Sequence, residues 1–342
     1  MVIWPQFVDR VYELGALNSL AYRGSSSVLY IYGPEGCGKT RLLKEFVGSF
    51  EGVAIYVDAL EESSIEKALM LTPRLIDIGE VITAVTEGFT GSLGAYLCKR
   101  LWLILSKVVT KAELRGKHLV IVLDDVTRAV GFEGIERYIK WLYEMIWKIT
   151  EEYEPKTVLI IATTSEGYSL KRVFRHTYNV VNLIWNLDYD AYLELAKQLN
   201  PPNDEVVEES YKLIGGNPRE VINVATLYRW DLRAWLNSLR ERLNEVVRIV
   251  RSKGYEAELK KLIEDPDILN REPTPELEAT YEILLENNLM MYSGVRLLSG
   301  WVDGGKQYLS PNLELGVGRY YSWQIPAYRV VLNDLIGKGF SD

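Results

Sequence analysis

Five short apolar runs, separated by stretches with helical spacing, constrain the fold of this chain more than any other feature. The runs are rich in residues that favour strands, and they predict strands that are buried on both faces. Strands of this kind form a parallel sheet that is covered by helices on both sides. The sequence therefore predicts a doubly wound α/β fold with five strands. The runs are residues 26–33, 52–59, 117–125, 157–164 and 178–185.

The rest of the chain predicts mainly helices. Residues 60–116 are long for one crossover and predict two or three packed helices. The strand patterns stop near residue 187, and the helix over 231–251 is the clearest element, because its apolar side chains fall on one face. Near the C-terminus, a helix precedes short extended pieces around a hairpin-like Asp-Gly-Gly turn at 303–305. A helix followed by a hairpin is typical of a winged helix.

These patterns divide the chain into three units. We expect an α/β core over residues 1–186, a helical lid over 187–253 and a small winged-helix-like domain over 254–342. No apolar run approaches the roughly 20 residues that span a bilayer, so we expect a cytoplasmic protein without a membrane partner. The net charge of -8 counts mildly against a protein that coats nucleic acid through bulk electrostatics.

Residues 33–40 match the spacing G-x-x-x-x-G-K-[ST] and lie between a predicted strand and a predicted helix. The glycines let the backbone turn its N–H groups inward, and the following helix adds its positive end. Lys39 is placed to reach the β- and γ-phosphates, and the Thr40 hydroxyl is placed to hold Mg²⁺. We therefore predict a binding loop for ATP and Mg²⁺. It comprises Gly33, Pro34, Glu35, Gly36, Cys37, Gly38, Lys39, Thr40 and Arg41.

Polar residues end two of the predicted strands. Four apolar residues precede Asp124 and Asp125, and a phosphate-binding loop needs such a carboxylate for its magnesium. We assign Asp124 to the metal and Asp125 to polarising the attacking water, with slow hydrolysis because aspartate is short. The strand over 157–164 ends in threonines, of which we prefer Thr164 as a partner of the γ-phosphate or the water.

Four motifs in order resemble the archaeal ATPase family, within the AAA+ and STAND group of P-loop ATPases. They are "FVDRVYEL" at 7–14, "GPEGCGKT", "VIVLDD" and "GGNPRE" at 215–220. The resemblance implies that the segment containing Val8 and Arg10 lies against the adenine, and that Pro218 closes on it from the lid. It also offers Arg219 as a γ-phosphate sensor, which we favour over the alternative that the turn is only a helix stop and restart. Family members usually carry Asp-Glu where this chain has Asp124-Asp125.

Three uses of the nucleotide remain open. The first is an ATP-driven switch that moves the lid and the C-terminal domain and displays a surface to a protein partner. The second is an ATPase that binds DNA through the winged helix, for which the basic residues over 240–261 count. The third, a small-molecule kinase, is disfavoured by the long lid. The chain is expected as a monomer or a nucleotide-dependent oligomer, with Arg172 and Arg175 as candidate fingers or merely solvated residues.

Overall fold

The computed structural model describes residues 5–61, 68–71, 101–164 and 167–337. A six-stranded sheet in the order β3-β2-β4-β5-β1-β6 organises the first half of the chain. Its neighbouring strands are parallel, except that β3 pairs with β2 in the antiparallel direction. The strands are β1 (Val28–Tyr32), β2 (Val53–Asp58), β3 (Leu69–Leu71), β4 (His118–Asp124), β5 (Thr157–Thr164) and β6 (Asn179–Leu183).

The α/β class and the five parallel strands are as predicted, but the total of five strands is wrong. The additional strand, β3, has only three residues and lies at the edge of the sheet. Its leucines and methionine favour helices, and the prediction of helices followed that local preference. Pairing with the exposed edge of β2 overrides the preference, which is a tertiary effect that local sequence does not carry.

Helices cover both faces of the sheet. On one face, side chains of α2 such as Leu42 and Phe46 pack against alternate residues of the strands, including Ile31 and Val122. On the other face, α6 packs against the intervening strand residues. Most of the predicted helices between 60 and 116 lie outside the described residues. The helices of this half are α1 (Val11–Arg23), α2 (Lys39–Ser49), α3 (Leu101–Val108), α4 (Lys111–Leu114), α5 (Val126–Val130), α6 (Phe132–Tyr153) and α7 (Gly167–Val173).

The second half is mainly helical and has one continuous apolar core. This core extends from Leu187 to Ile336 and includes the fully buried Trp235 and Leu332. It forms in part because α11 lies along α15, the last helix of the chain. The helices are α8 (Tyr189–Lys197), α9 (Asp204–Ile214), α10 (Pro218–Thr226), α11 (Leu232–Ser252), α12 (Glu256–Glu264), α13 (Ile268–Arg271), α14 (Pro275–Glu286) and α15 (Pro326–Gly337).

Two short strands complete the C-terminal region. β7 (Met290–Tyr292) pairs in the antiparallel direction with β8 (Tyr321–Trp323), which lies far along the chain. The hairpin predicted at the Asp-Gly-Gly turn is therefore wrong. That turn follows a 3₁₀ helix at Leu298–Trp301, and Gly305 N donates to Val302 O at 3.2 Å. The glycines form a turn as expected, but the strands that pair are not those that flank it.

No helix in the described part of the chain is long and apolar enough to cross a bilayer.

The packing of α15 in the core of the second half predicts how substitutions on this helix change the free energy of unfolding. Leu332 is fully buried in that core, whereas Val330 on the same helix is 45% exposed. We expect Leu332→Ala to lower the free energy of unfolding by about 2–5 kcal/mol, because it leaves a cavity. Val330→Ala should change it by less than about 0.5 kcal/mol. Denaturant unfolding of both variants measures this, and equal effects would contradict the placement of α15.

Candidate functional site

The predicted phosphate loop runs from the end of β1 to the start of α2. Gly36 has φ of 80° and Gly38 has φ of 96°, conformations that residues with a Cβ rarely adopt. Gly33 is required for a different reason, since a Cβ there would lie 2.0 Å from the carbonyl oxygen of Ile184. The end of β6 thus presses against the beginning of the loop, and only glycine leaves room for it.

Lys39 is buried and folded back over the loop. Its Nζ donates to the carbonyl oxygens of Gly33 and Pro34, both at 3.0 Å. Only 5% of the residue is exposed. The neutral carbonyls hold the ammonium in place, and a phosphate offers it a stronger, charged acceptor. The lysine is therefore positioned within the loop before any ligand arrives.

Arg10 anchors the loop to the end of the sheet. Its Nη2 donates to the carbonyl oxygens of Cys37 at 2.9 Å and Trp185 at 2.7 Å. Its Nη1 pairs with Glu13 at 3.1 Å, and the whole residue is 5% exposed. The side chain that the family resemblance placed near the adenine thus also binds the loop backbone.

A cavity of about 590 Å³ lies above the loop, within the size range of small-molecule sites. We call it the nucleotide cavity. Predicted residues in its wall are Val8, Arg10, Gly36, Cys37, Gly38, Lys39, Thr40, Arg41, Asp125, Pro218 and Arg219. Gly33, Pro34, Glu35, Asp124 and Thr164 do not line it. Residues of its wall that the sequence did not single out are Pro5, Gln6, Lys44, Leu187, Leu195, Ile222 and Asn223.

The apolar part of the cavity comes from two separate regions. Phe7 and Val8 approach from the N-terminal segment, and Leu187, Leu195 and Ile222 approach from the helical second half. The last three were not predicted, because isolated apolar residues in amphipathic helices are indistinguishable from core residues in a sequence. Together they form a surface suited to a flat, largely apolar ring.

Asp124 ends β4 as predicted and is 2% exposed. Tyr56 Oη donates to its Oδ2 at 2.7 Å, and Thr163 Oγ1 donates to its Oδ1. Burial and the negative charge of Asp124 raise the pKa of Tyr56 far above its usual range. Tyr56 therefore keeps its proton and remains a donor, which fixes the orientation of the carboxylate. No pattern in the sequence indicated this tyrosine, which lies on the neighbouring strand β2.

Asp125 begins the next helix in the left-handed conformation, with φ of 53°. Its backbone N donates to Thr163 Oγ1 at 2.9 Å, so one threonine contacts both aspartates. Thr164 lies on the opposite face of β5, beside Tyr32 in the register, because successive side chains alternate along a strand. The geometry therefore favours Thr163, which the sequence reading had ranked below Thr164.

Asp58 is a third carboxylate at this edge of the sheet. It stands opposite Asp124 in the register of β2 and β4. Burial raises its pKa, as do the charges of Asp124 and Asp125, against the opposing effects of the Leu60 N–H and Lys44. Among the described residues, no three His, Cys, Asp or Glu side chains are grouped to hold a metal. Thr40 lines the nucleotide cavity and Asp124 lies buried at the end of β4, and their hydroxyl and carboxylate oxygens are of the type that Mg²⁺ takes as ligands.

The Gly-Gly-Asn-Pro-Arg turn lies directly on the phosphate loop. Asn217 caps α10 through its Oδ1, and its Nδ2 donates to Glu35 O at 2.8 Å. Arg219 Nη1 donates to Glu35 Oε1 at 2.8 Å. Gly216 allows the approach, since its φ is 82° and a Cβ would lie 1.9 Å from Leu187 O. The turn therefore stops and restarts a helix and also contacts the loop, while the role of Arg219 as a γ-phosphate sensor stays a prediction.

The two candidate finger arginines lie on or just after α7, away from the nucleotide cavity. Arg175 Nη2 pairs with Glu136 Oε2 at 3.2 Å, and its side chain is 62% exposed. Neither arginine lines the nucleotide cavity.

A mostly parallel sheet, a glycine loop that cradles a lysine after β1, and an aspartate at the end of β4, two strands away in the sheet, define a P-loop nucleotide-binding protein. Residues 7–224 match the model of a family described as an ATPase domain predominantly from Archaea. Because the match covers more than half of the chain, this protein belongs to that archaeal ATPase family.

Two curated relatives are named only as uncharacterised ATP-binding proteins. One is from Methanocaldococcus jannaschii and is 22% identical over 263 residues, which cover 65% of this chain and 71% of the relative. The other is from Pyrococcus abyssi and is 23% identical over 192 residues, which cover 49% of this chain and 56% of the relative. ATP binding is thus the common description of the family and of these relatives.

The close contact between the phosphate loop and the Gly-Gly-Asn-Pro-Arg turn predicts that adding a methyl group at Gly36 weakens stability and nucleotide binding. In Gly36→Ala, the new Cβ would lie 2.6 Å from Arg219 Cβ. The alanine would also have to adopt a φ of 80°, which residues with a Cβ rarely do. We expect a loss of at least about 1 kcal/mol of stability and at least about tenfold weaker nucleotide binding. Gly48→Ala, in α2, is the matched control, because its Cβ meets nothing within 4 Å. Calorimetry with Mg-ADP and thermal unfolding measure both, and equal losses in the two variants would contradict the contact.

Proposed function

We propose that this protein is a magnesium-dependent ATPase that acts as a nucleotide-driven switch. The observation that carries the proposal is the contact of Asn217 and Arg219 with Glu35, which places the helical second half directly on the phosphate loop. Any ligand that fills the loop therefore meets residues of both halves. A change in the ligand then changes the contact between them.

The phosphate groups are bound by the loop in this proposal. The inward N–H groups between Gly36 and Thr40 and the start of α2 form the cradle. Lys39 exchanges its carbonyl partners for the β- and γ-phosphate oxygens. The adenine lies against Val8 and Phe7 on one side and against Leu187, Ile222 and Pro218 on the other.

In this proposal, hydrolysis depends on residues at the C-terminal ends of β4 and β5. Thr40 and Asp124 would hold a magnesium ion, which would neutralise charge on the phosphates. Asp125 lines the cavity and orients the attacking water as its base. Thr163 takes the place that we first gave to Thr164, because it bonds both Asp124 and the backbone of Asp125. The short side chain of Asp125 is the reason to expect slow turnover.

The switch has its moving part in the second half of the chain. Arg219 senses the γ-phosphate: it releases the Glu35 carboxylate and binds the phosphate instead. We keep the division into a core over 1–186, a lid over 187–253 and a winged-helix-like region over 254–342. The apolar core that joins the last two regions favours their movement as one body. The partner is a protein that recognises one of the two positions.

The alternative, an ATPase that binds DNA through the C-terminal region, is disfavoured by charge. In the order of a winged helix, α14 is the helix before the strands, and its exposed side chains include four glutamates: Glu276, Glu278, Glu282 and Glu286. Three of the five arginines of α11 have acidic partners: Arg240 with Asp334, Arg248 with Glu245 and Arg251 with Glu256. The glutamates of α14 and these ion pairs of α11 both weaken the attraction of the two helices for phosphate.

Two variants of the loop and the base separate binding from hydrolysis. Lys39→Ala should abolish measurable binding, since it removes the charge that meets the phosphates. Asp125→Asn should keep the affinity for Mg-ADP within about threefold and lower turnover by at least about 100-fold. Asparagine tolerates the left-handed conformation of this position. The exposed Lys171→Ala is the control, and unchanged turnover in Asp125→Asn would rule out its role as base.

The DNA alternative has its own test. We expect ATP turnover to be the same with and without duplex DNA at 50 mM and at 200 mM salt. Between these two concentrations, a protein that binds DNA through several phosphate contacts loses about 10³-fold or more of its affinity. A stimulation that fades at the higher salt concentration would instead support the DNA-binding ATPase.

A further inference from the structure

Glu35, in the phosphate loop, is held by a residue from near the other end of the chain. Its backbone N donates to Gln324 Oε1 at 2.8 Å, across 289 residues of sequence. Gln324 is 3% exposed, so water does not compete for this bond. Gln324 belongs to no motif and does not line the nucleotide cavity. Its contact with the loop therefore needs an explanation of its own.

The position of Gln324 is fixed by the C-terminal region. Its backbone N donates to Leu289 O at 2.9 Å, and its carbonyl accepts from Asn186 Nδ2 at 2.8 Å. Its neighbours Trp323 and Ile325 are buried in the apolar core of the second half. A displacement of that core therefore displaces the amide that binds Glu35.

The orientation of the Gln324 amide follows from its partner. A backbone N–H only donates, so the amide oxygen has to face Glu35. This leaves Gln324 Nε2 buried without a hydrogen-bond partner among the described residues. An unpaired buried NH₂ group is destabilising, and an apolar side chain of the same length would pack without that penalty. Packing alone does not explain a glutamine here, whereas the bond to the loop does.

A buried network extends the contact to the lid. Asn217 Nδ2 donates both to Glu35 O and to Asn186 Oδ1, at 2.8 Å and 3.0 Å. Since Asn186 also holds the carbonyl of Gln324, the four residues form a closed ring of hydrogen bonds. Both backbone groups of Glu35 are thus fixed by regions outside the α/β core.

We propose that Gln324 is a positioning residue through which the C-terminal region sets the geometry of the phosphate loop. This inference rests on the proposed switch and names its point of contact. While Gln324 holds Glu35 N, the adjoining Gly36 keeps its place in the wall of the cavity. When the C-terminal region withdraws, the Glu35 peptide loses its partner and the cradle loses its preorganised shape. By reciprocity, a bound nucleotide holds the strand before Gln324 in place.

The test compares Gln324→Met, which keeps the length but has no acceptor oxygen, with the wild-type chain. Two quantities are measured: the Kd for Mg-ADP, and the hydrogen exchange of the β8 amides with and without saturating Mg-ADP. In the wild type, we expect Mg-ADP to protect β8. In Gln324→Met, we expect about tenfold weaker binding and no nucleotide-dependent protection of β8, even at saturation.

Two further variants complete the design. Gln324→Asn keeps an amide but shortens it, so it should lose the same protection and decides the question if Gln324→Met does not fold. Gln307→Ala is the matched control, because this exposed glutamine of the C-terminal region bonds Gly300 and does not contact the loop. A merely structural role for Gln324 would lower the melting temperature but leave the nucleotide-dependent difference intact.

The outcomes separate the two proposals. If the wild type shows protection and both Gln324 variants show it equally with unchanged Kd, the inference about Gln324 is wrong and the switch stands. If Mg-ADP binds the wild type but leaves the exchange of β8 unchanged, the switch itself is refuted and the inference falls with it. If Mg-ADP does not bind the wild type at all, the proposed ATPase site is refuted.

Discussion

The phosphate loop has backbone groups that point away from the nucleotide cavity, and each needs a partner because they are buried. The carbonyl of Cys37 is bound by Arg10, the carbonyl of Glu35 by Asn217, and the N–H of Glu35 by Gln324. These three partners come from the N-terminal segment, the lid and the C-terminal region. The fold thus brings three side chains that are distant in sequence into contact with one loop.

This arrangement links the energetics of the two halves. The apolar core of the second half is continuous, so α11 and α15 are packed in one core together with the residues around β7 and β8. The α/β core is joined to them through close backbone approaches, such as that of Gly216 to Leu187, and through the buried asparagines. Close-packed contacts of this type favour discrete arrangements over gradual deformation, which suits a switch with two positions.

The sequence was sufficient wherever the determining pattern is local. The apolar runs predicted the parallel strands, and the motif at 33–40 predicted a glycine loop, in which Gly36 and Gly38 adopt positive φ. It was insufficient wherever the partner is distant in sequence. The edge strand β3, the pairing of β7 with β8, and the roles of Tyr56 and Gln324 all depend on tertiary neighbours. The sequence favours Thr164 without showing which face of β5 meets the loop, and in the structure Thr163 bonds both Asp124 and the backbone of Asp125.

The bond between Arg219 and Glu35 differs from the buried ring in a way that matters for switching. Their side chains are 54% and 38% exposed, and ion pairs of this exposure contribute only about 0–1 kcal/mol. A terminal phosphate is a stronger acceptor for arginine than a singly charged carboxylate, because it carries more negative charge and three acceptor oxygens. In the proposed switch, ATP would therefore draw Arg219 away from Glu35 at little cost, while the bonds of Asn217 and Gln324 keep the loop itself in shape.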